Sequence, residues 1–258
     1  MRVLILCGGF GTRLRDESEF RPKPMVEIGG RPILWHIMSG YARHGFTDFV
    51  LLLGYKGEMI RRYFLDYHSM TTDATVSLAR PGEVRLHGNV GEDWQVTLVD
   101  TGARTMTGGR IARAARHVDG GTFMLTYGDG VSDVDFRELL AFHRAHGRVA
   151  TITGVHPPAR FGDLAVEGNV VRRFAEKPVA SDGYINGGFF VFERRVLDYL
   201  DPGEDCILES KPLERLAAEG QLRMFGHPGF WQCMDTPRDM ALLNDLWNSG
   251  RAPWSAAR

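Results

Sequence analysis

The chain has 258 residues, 43% of them hydrophobic and 24% charged, with a formal net charge of -1. A chain of this size buries about three quarters of its unfolded surface, its composition excludes extended disorder, and its near-zero charge argues against nucleic acid as a partner. Three cysteines far apart in the chain (Cys7, Cys206, Cys233) point to a reducing, cytoplasmic setting rather than a disulfide framework, and the apolar run at residues 3–7 is too short for a signal segment or a membrane span.

Val3 to Cys7 predicts a short buried strand, and Gly8-Gly9-Phe10-Gly11-Thr12-Arg13 a tight turn after it. Without Cβ atoms the backbone N–H groups of this turn can approach an anion, and Arg13 adds a fixed positive charge. The spacing is not the dinucleotide fingerprint, because Leu14 stands where a third glycine would be, and no Gly-Lys-Ser/Thr follows as in a P-loop. Lys23 lies between Pro22 and Pro24, which stiffen its loop. Pro32 suits a first helical turn, with Ile33, Leu34, Ile37, Met38 and Tyr41 at helical spacing and Gly45 as the stop.

Phe49 to Leu53 reads as a second buried strand and Glu58 to Tyr67 as a second helix. Residues 69–95 are the least regular and suggest an excursion or an oligomer contact. Val96 to Val99 and Thr122 to Thr126 are further strands. This alternation predicts an α/β fold with a doubly wound, mixed, mostly parallel sheet and ligands at the strand C-terminal ends. The second half is richer in strands: Val149 to Val155, a hairpin of Leu164 to Glu167 and Val170 to Phe174 around Gly168-Asn169, and Ile185 to Phe192. Gly187-Gly188 inside the last of these marks either a close approach of ligand or a bulge. Leu213 to Glu219 and Arg238 to Trp247 read as helices. His143 and His146 share a helix face with no acid or cysteine evident nearby, and are expected to be solvated.

Asp129, in Thr126-Tyr127-Gly128-Asp129-Gly130, follows a buried strand at the point where an α/β sheet presents a metal ligand. Asp235 precedes a helix. Two carboxylates from distant loops suit Mg²⁺ when phosphates and water complete its shell. Read alone, Asp129 is equally a turn residue and Asp235 a helix N-cap. Lys177, in Glu176-Lys177-Pro178, could hold a second anion or lie at a strand end on the surface, and Asn186 could meet a sugar hydroxyl.

In order, Gly-Gly-x-Gly-Thr-Arg-Leu, Pro-Lys-Pro, Gly-Asp-Gly, Glu-Lys-Pro and a late Asp resemble the sugar-1-phosphate nucleotidyltransferases. Lys23 to Gly30, Pro32 to Met38, Val96 to Gly102, Met106 to Arg110, Arg160 to Gly162, Ile185 to Val191 and His227 to Gln232 point to the cytidylyl-transferring branch. The resemblance covers nearly the whole chain and ends in Ala252-Pro253-Trp254. It departs at Arg21, residues 79–93, Cys206-Ile207-Leu208 and Lys211, away from the catalytic positions.

The resemblance implies one Rossmann-like domain over 1–258, with a nucleotide-binding core over about 1–130 and a β-rich sugar-phosphate-binding portion over about 131–250. It implies CTP and a sugar 1-phosphate, glucose 1-phosphate first, as substrates and a CDP-sugar and pyrophosphate as products. Leu6, Cys7, Gly8, Gly9, Phe10, Gly11, Thr12, Arg13 and Gly128 would surround the nucleotide, with Thr105 and Arg110 near its base. Arg13, Lys23 and Asp129 would be catalytic, and Asp129 and Asp235 would hold Mg²⁺. Glu176, Lys177, Asn186 and Gly187 would bind the sugar phosphate. A homo-oligomer, with a hexamer as one form, is also implied. The same chemistry with another nucleotide or acceptor, or a catalytically silent homologue, are the alternatives.

Overall fold

The computed structural model describes residues 1–9, 20–88, 91–118, 120–157, 163–167, 170–175 and 183–255. Seven strands form the central sheet: β1 (Arg2–Cys7), β2 (Asp48–Leu53), β3 (Gln95–Asp100), β4 (Thr122–Tyr127), β5 (Ala150–Val155), β6 (Ile185–Glu193) and β7 (Leu222–His227). Their order is β7-β5-β6-β4-β1-β2-β3. Only β6 runs against its neighbours; every other pairing is parallel.

The longer helices among the described residues are α1 (Ile33–Arg43), α2 (Gly57–Leu65), α3 (Thr107–Arg113), α4 (Phe136–His146), α5 (Lys211–Ala218) and α6 (Pro237–Asn248). Among the described residues no helix is long and apolar enough to cross a membrane.

The unbroken apolar runs of β1 and β2 have a physical reason, because both faces of the sheet are covered. Val3, Ile5 and Cys7 join Phe49, Leu51 and Leu53 in a core layer that also takes Ile33, Leu34, Ile37, Met38 and Tyr41 of α1. Leu4, Leu6, Val50 and Leu52 face the other layer, with Ile111 of α3. The period-2 alternation of side chains thus splits one apolar run between two cores.

The expected strands and helices are present to within two residues at each end. Residues 69–95 carry a short helix, Tyr67–Thr71, and an exposed hairpin of Asp73–Val76 with Val84–His87. The edge strand β7, helix α3 and the short strands Gly130–Ser132 and Trp231–Cys233 are additions to the expected elements. The hairpin around 168–169 pairs Asp163–Glu167 with Val170–Ala175. In β6 the double glycine is a bulge: Ile152 pairs with Phe190, but Gly154 already pairs with Asn186. Gly188 has φ +81°, and a Cβ there would come 2.5 Å from the Tyr127 ring. The missing side chains therefore make room for Tyr127 and, at Gly187, for Val155.

After β1 the chain adds β2 and β3 on one side, then returns to lay β4 on the other side of β1. Such a reversal leaves a crevice beyond the strand C-terminal ends, here those of β1 and β4.

Candidate active site

A cavity of about 620 Å³ occupies this crevice, with Cys7, Gly8, Asp129, Thr105, Arg110 and Asn186 in its wall. Lys23 enters it from a single 3₁₀ turn, Lys23–Met25, with Pro24 buried in that turn. Pro24 packs where Gly128 has no side chain; a Cβ on Gly128 would come 2.9 Å from Pro24 Cγ and 2.8 Å from the Leu6 carbonyl. This packing fixes the origin of the lysine side chain.

The Lys23 ammonium lies 2.7 Å from Asp129 Oδ2 and 2.5 Å from Asp235 Oδ1. The two acids are far apart in sequence, and a short ladder holds their loops together. Gly130–Ser132 pairs antiparallel with Trp231–Cys233, and the Met234 N–H donates to the Asp129 carbonyl at 2.8 Å. Asp235 is not the helix cap. Thr236 caps α6 in a capping box with Asp239, whose carboxylate also accepts from the Asp235 N–H. The Asp235 carboxylate is thereby left to face the cavity. Burial opposes the charge on Lys23, but Asp129 and then Asp235 outweigh it and hold the ammonium above its ordinary pKa. The result is a fixed cation between two hard oxygen donors.

Arg110 is buried and grips backbone. Its guanidinium donates to the carbonyls of Leu53 (3.0 Å), Gly102 (2.8 Å) and Gly8 (2.8 Å), and to the Thr101 hydroxyl (2.7 Å). A Cβ on Gly8 or Gly54 would overlap it. The η-nitrogen donors expected to read a base are thus engaged by the loops that end β1, β2 and β3. Thr105 is likewise engaged, its hydroxyl accepting from Arg113 at 2.7 Å. Both side chains line the cavity, and what they do first is shape it.

On the opposite wall, the Asn186 side-chain oxygen accepts from the Gly188 N–H at 2.8 Å, and its amide donates to Tyr127 Oη at 3.1 Å. The Trp231 indole donates to the Gly187 carbonyl at 2.7 Å. Tyr127 and Trp231 are wall residues that motif spacing did not single out. Tyr127 was within reach, since it lies two positions before Asp129. The thiols are inert: burial pushes Cys7 far up and carries Cys233, beside Asp235, to about 12. The structure thus brings Leu6, Cys7, Gly8, Gly9, Lys23, Thr105, Arg110, Gly128, Asp129, Asn186, Gly187 and Asp235 to one cavity. Phe10, Gly11, Thr12, Arg13, Glu176 and Lys177 lie outside the described residues.

Comparison with known proteins identifies the family. The nucleotidyl transferase family matches residues 2–236. Glucose-1-phosphate cytidylyltransferase of Salmonella typhi is 49% identical over 255 residues, 98% of each chain. The probable glucose-1-phosphate cytidylyltransferase of Bacillus subtilis is 43% identical, covering 98% of this chain and 99% of its own. The crystal structure of HddC from Yersinia pseudotuberculosis superposes with a TM-score of 0.71 at 22% identity, over 95% of this chain and 99% of that one, and shares the fold. On the family match and the full-length relatives together, the chain belongs to the nucleotidyl transferase family.

Proposed function

We propose that the chain joins CTP to α-D-glucose 1-phosphate, giving CDP-glucose and pyrophosphate. The observation that carries the chemistry is the convergence of Lys23, Asp129 and Asp235 at the switch point, at 2.7 and 2.5 Å. The choice of cytosine and glucose follows the names of the full-length relatives.

Phosphoryl transfer of this kind needs positioning and charge neutralisation more than proton transfer. The attacking phosphate oxygen is already ionised at neutral pH, so no general base is required. Lys23 would neutralise charge on the α-phosphate as attack proceeds. Gly8 and Gly9, with Gly11, Thr12 and Arg13, would cradle the triphosphate. Lys177 would hold the sugar phosphate, with Glu176, Asn186 and Gly187 on the sugar.

The donor set fits Mg²⁺: Asp129 and Asp235 reach one common cation, and hard oxygens with open positions for phosphate are what this ion takes. Bound there, it would supply positive charge to the phosphates. A homo-oligomer and a cytoplasmic setting carry over from the family likeness as part of the same proposal.

The test is pyrophosphate release with Mg²⁺ and glucose 1-phosphate, run in parallel with CTP, UTP, dTTP, ATP and GTP. Release with CTP alone is the expected result. Release with another nucleotide keeps the mechanism and overturns the cytosine assignment, and silence with all five overturns the acceptor.

A further inference from the structure

Asn186 carries two amide protons, and the chain of hydrogen bonds behind it decides where they point. One is donated to Tyr127 Oη; the other has no partner among the described residues, and the side chain lines the cavity. Tyr127 Oη has a single proton of its own, which it donates to Glu209 Oε1. The other oxygen of Glu209 accepts from the Thr107 hydroxyl at 2.6 Å, and Thr107 Oγ1 accepts from the Leu208 N–H at 2.9 Å. An ionised carboxylate only accepts, so it polarises the series in one direction. The tyrosine must donate to Glu209 and accept from Asn186. The Asn186 side-chain oxygen is held in turn by the Gly188 N–H. The Tyr127 ring is seated on Gly188, where no Cβ could stand.

We propose that Tyr127 and Glu209 are positioning residues for sugar recognition: with the Gly188 N–H holding the amide oxygen, they hold the Asn186 amide in place so that it presents an N–H to a hydroxyl of the sugar phosphate. The inference rests on the reaction proposed above and assigns an acceptor-selecting role to a glutamate outside the motifs. Glu209 is exposed and remote in sequence from both partners, so its constraint on the cavity acts through Tyr127 and Thr107, which line it. Replacing its carboxylate with an amide supplies a competing donor toward the Tyr127 hydroxyl; the Gly188 N–H still sets which way the Asn186 amide faces, but the bond that holds its N–H in place is lost.

The experiment compares wild type, Glu209→Gln and Tyr127→Phe with glucose 1-phosphate and with its 2-, 3- and 6-deoxy analogues. KM for glucose 1-phosphate should rise about tenfold in both variants, one hydrogen bond's worth, with KM for CTP changed less than about twofold. One deoxy analogue should be a poor substrate for wild type, and that discrimination should collapse in the variants, so enzyme and substrate changes are non-additive. A merely structural role would weaken all the sugar phosphates alike. Equal rises in both KM values, or discrimination retained in Glu209→Gln, would overturn the assignment while the reaction stands. A wild type inactive with glucose 1-phosphate and CTP would overturn the reaction and this inference together. Should Tyr127→Phe fold poorly, the exposed Glu209→Gln variant decides alone.

Discussion

At the C-terminal ends of β1 and β4 polar side chains face a cavity of about 620 Å³, whereas at the N-terminal ends of β4 and β5 they close on one another. In the second cluster every bond has a direction. The Arg148 N–H donates to His146 Nδ1 (2.9 Å), and His146 Nε2 to Thr151 Oγ1 (2.7 Å). The Thr151 hydroxyl then donates to His143 Nδ1 (2.8 Å), and His143 Nε2 to Glu193 (3.2 Å), which also accepts from Thr122 (2.8 Å). Both clusters hold carboxylates and cations or histidines on the same sheet. They differ in whether the polar groups are spent internally, as in a satisfied network, or aimed at space a ligand can fill. The composition of a cluster therefore says less about its role than the direction in which its donors and acceptors are left open.

The largest expected effect comes from breaking the open end. Asp129→Asn should lower kcat by about a thousandfold or more, since it removes one of the two carboxylates that would hold Mg²⁺ and that anchor Lys23 beside the reacting phosphates. The fold should survive, because the ladder to Met234 uses the Asp129 backbone carbonyl. Pyrophosphate release and a thermal melt on one preparation check both statements. Full turnover at saturating Mg²⁺ would remove Asp129 from the catalytic groups.

Arg110 sharpens the contrast, because it lines the open cavity yet is bonded like a closed cluster. Arg110→Ala leaves the Gly8 and Gly102 carbonyls without the Arg110 donor, while the Leu53 carbonyl keeps the Thr101 N–H and hydroxyl, at a cost of about 3 kcal/mol. Affinity for all nucleotides should fall together, as the Gly8 loop loses its anchor. Urea midpoints and the CTP-to-UTP ratio of kcat/KM measure the two effects. Lost CTP preference at unchanged stability would return Arg110 to direct reading of the base.

These cases show what was legible beforehand. Lys23, Asp129 and Asp235 could be read because glycine and proline fix their backbones and leave a local trace: Pro24 packs on Gly128, and Asp235 precedes the Thr236 cap of a proline-started helix. The apolar runs of β1 and β2 could be read because a strand covered on both faces needs them. The partners of side chains could not. Glu193 lies 50 residues from His143, and Glu209 lies 82 from Tyr127; no periodicity connects them. Hence His143, expected in solvent, is buried against an acid. Strand β7 escaped notice because its Leu-Arg-Met-Phe-Gly-His run lies at the sheet edge, partly exposed and without clean alternation.

The smallest effect tests the closed end. Desolvation first of all lowers the pKa of His143 and of His146 below 6.5. Protonating His143 would set an N–H against the Thr151 hydroxyl that now donates to it. His36 has the same sign: its Nε2 pairs with the Ile28 carbonyl (2.8 Å), its Nδ1 accepts from the Trp254 indole (3.3 Å), and burial lowers it to about 4. The unfolded chain takes up these protons as pH falls through 6.5 while the folded chain resists. The stability from neutral histidines is therefore complete above 6.5, is lost on acidification, and for His36 goes on falling to about 4. His143→Gln should cost about 1–2 kcal/mol near neutral pH and flatten part of that acid slope. Turnover per folded molecule should stay within about twofold of wild type, because a closed network has nothing to offer a ligand. Urea midpoints measured across the acid range, together with turnover at neutral pH, decide the matter. A tenfold loss of kcat in a fully folded His143→Gln protein would mean that the two ends of the sheet are coupled, and that the closed cluster tunes the open one through β4 and β6.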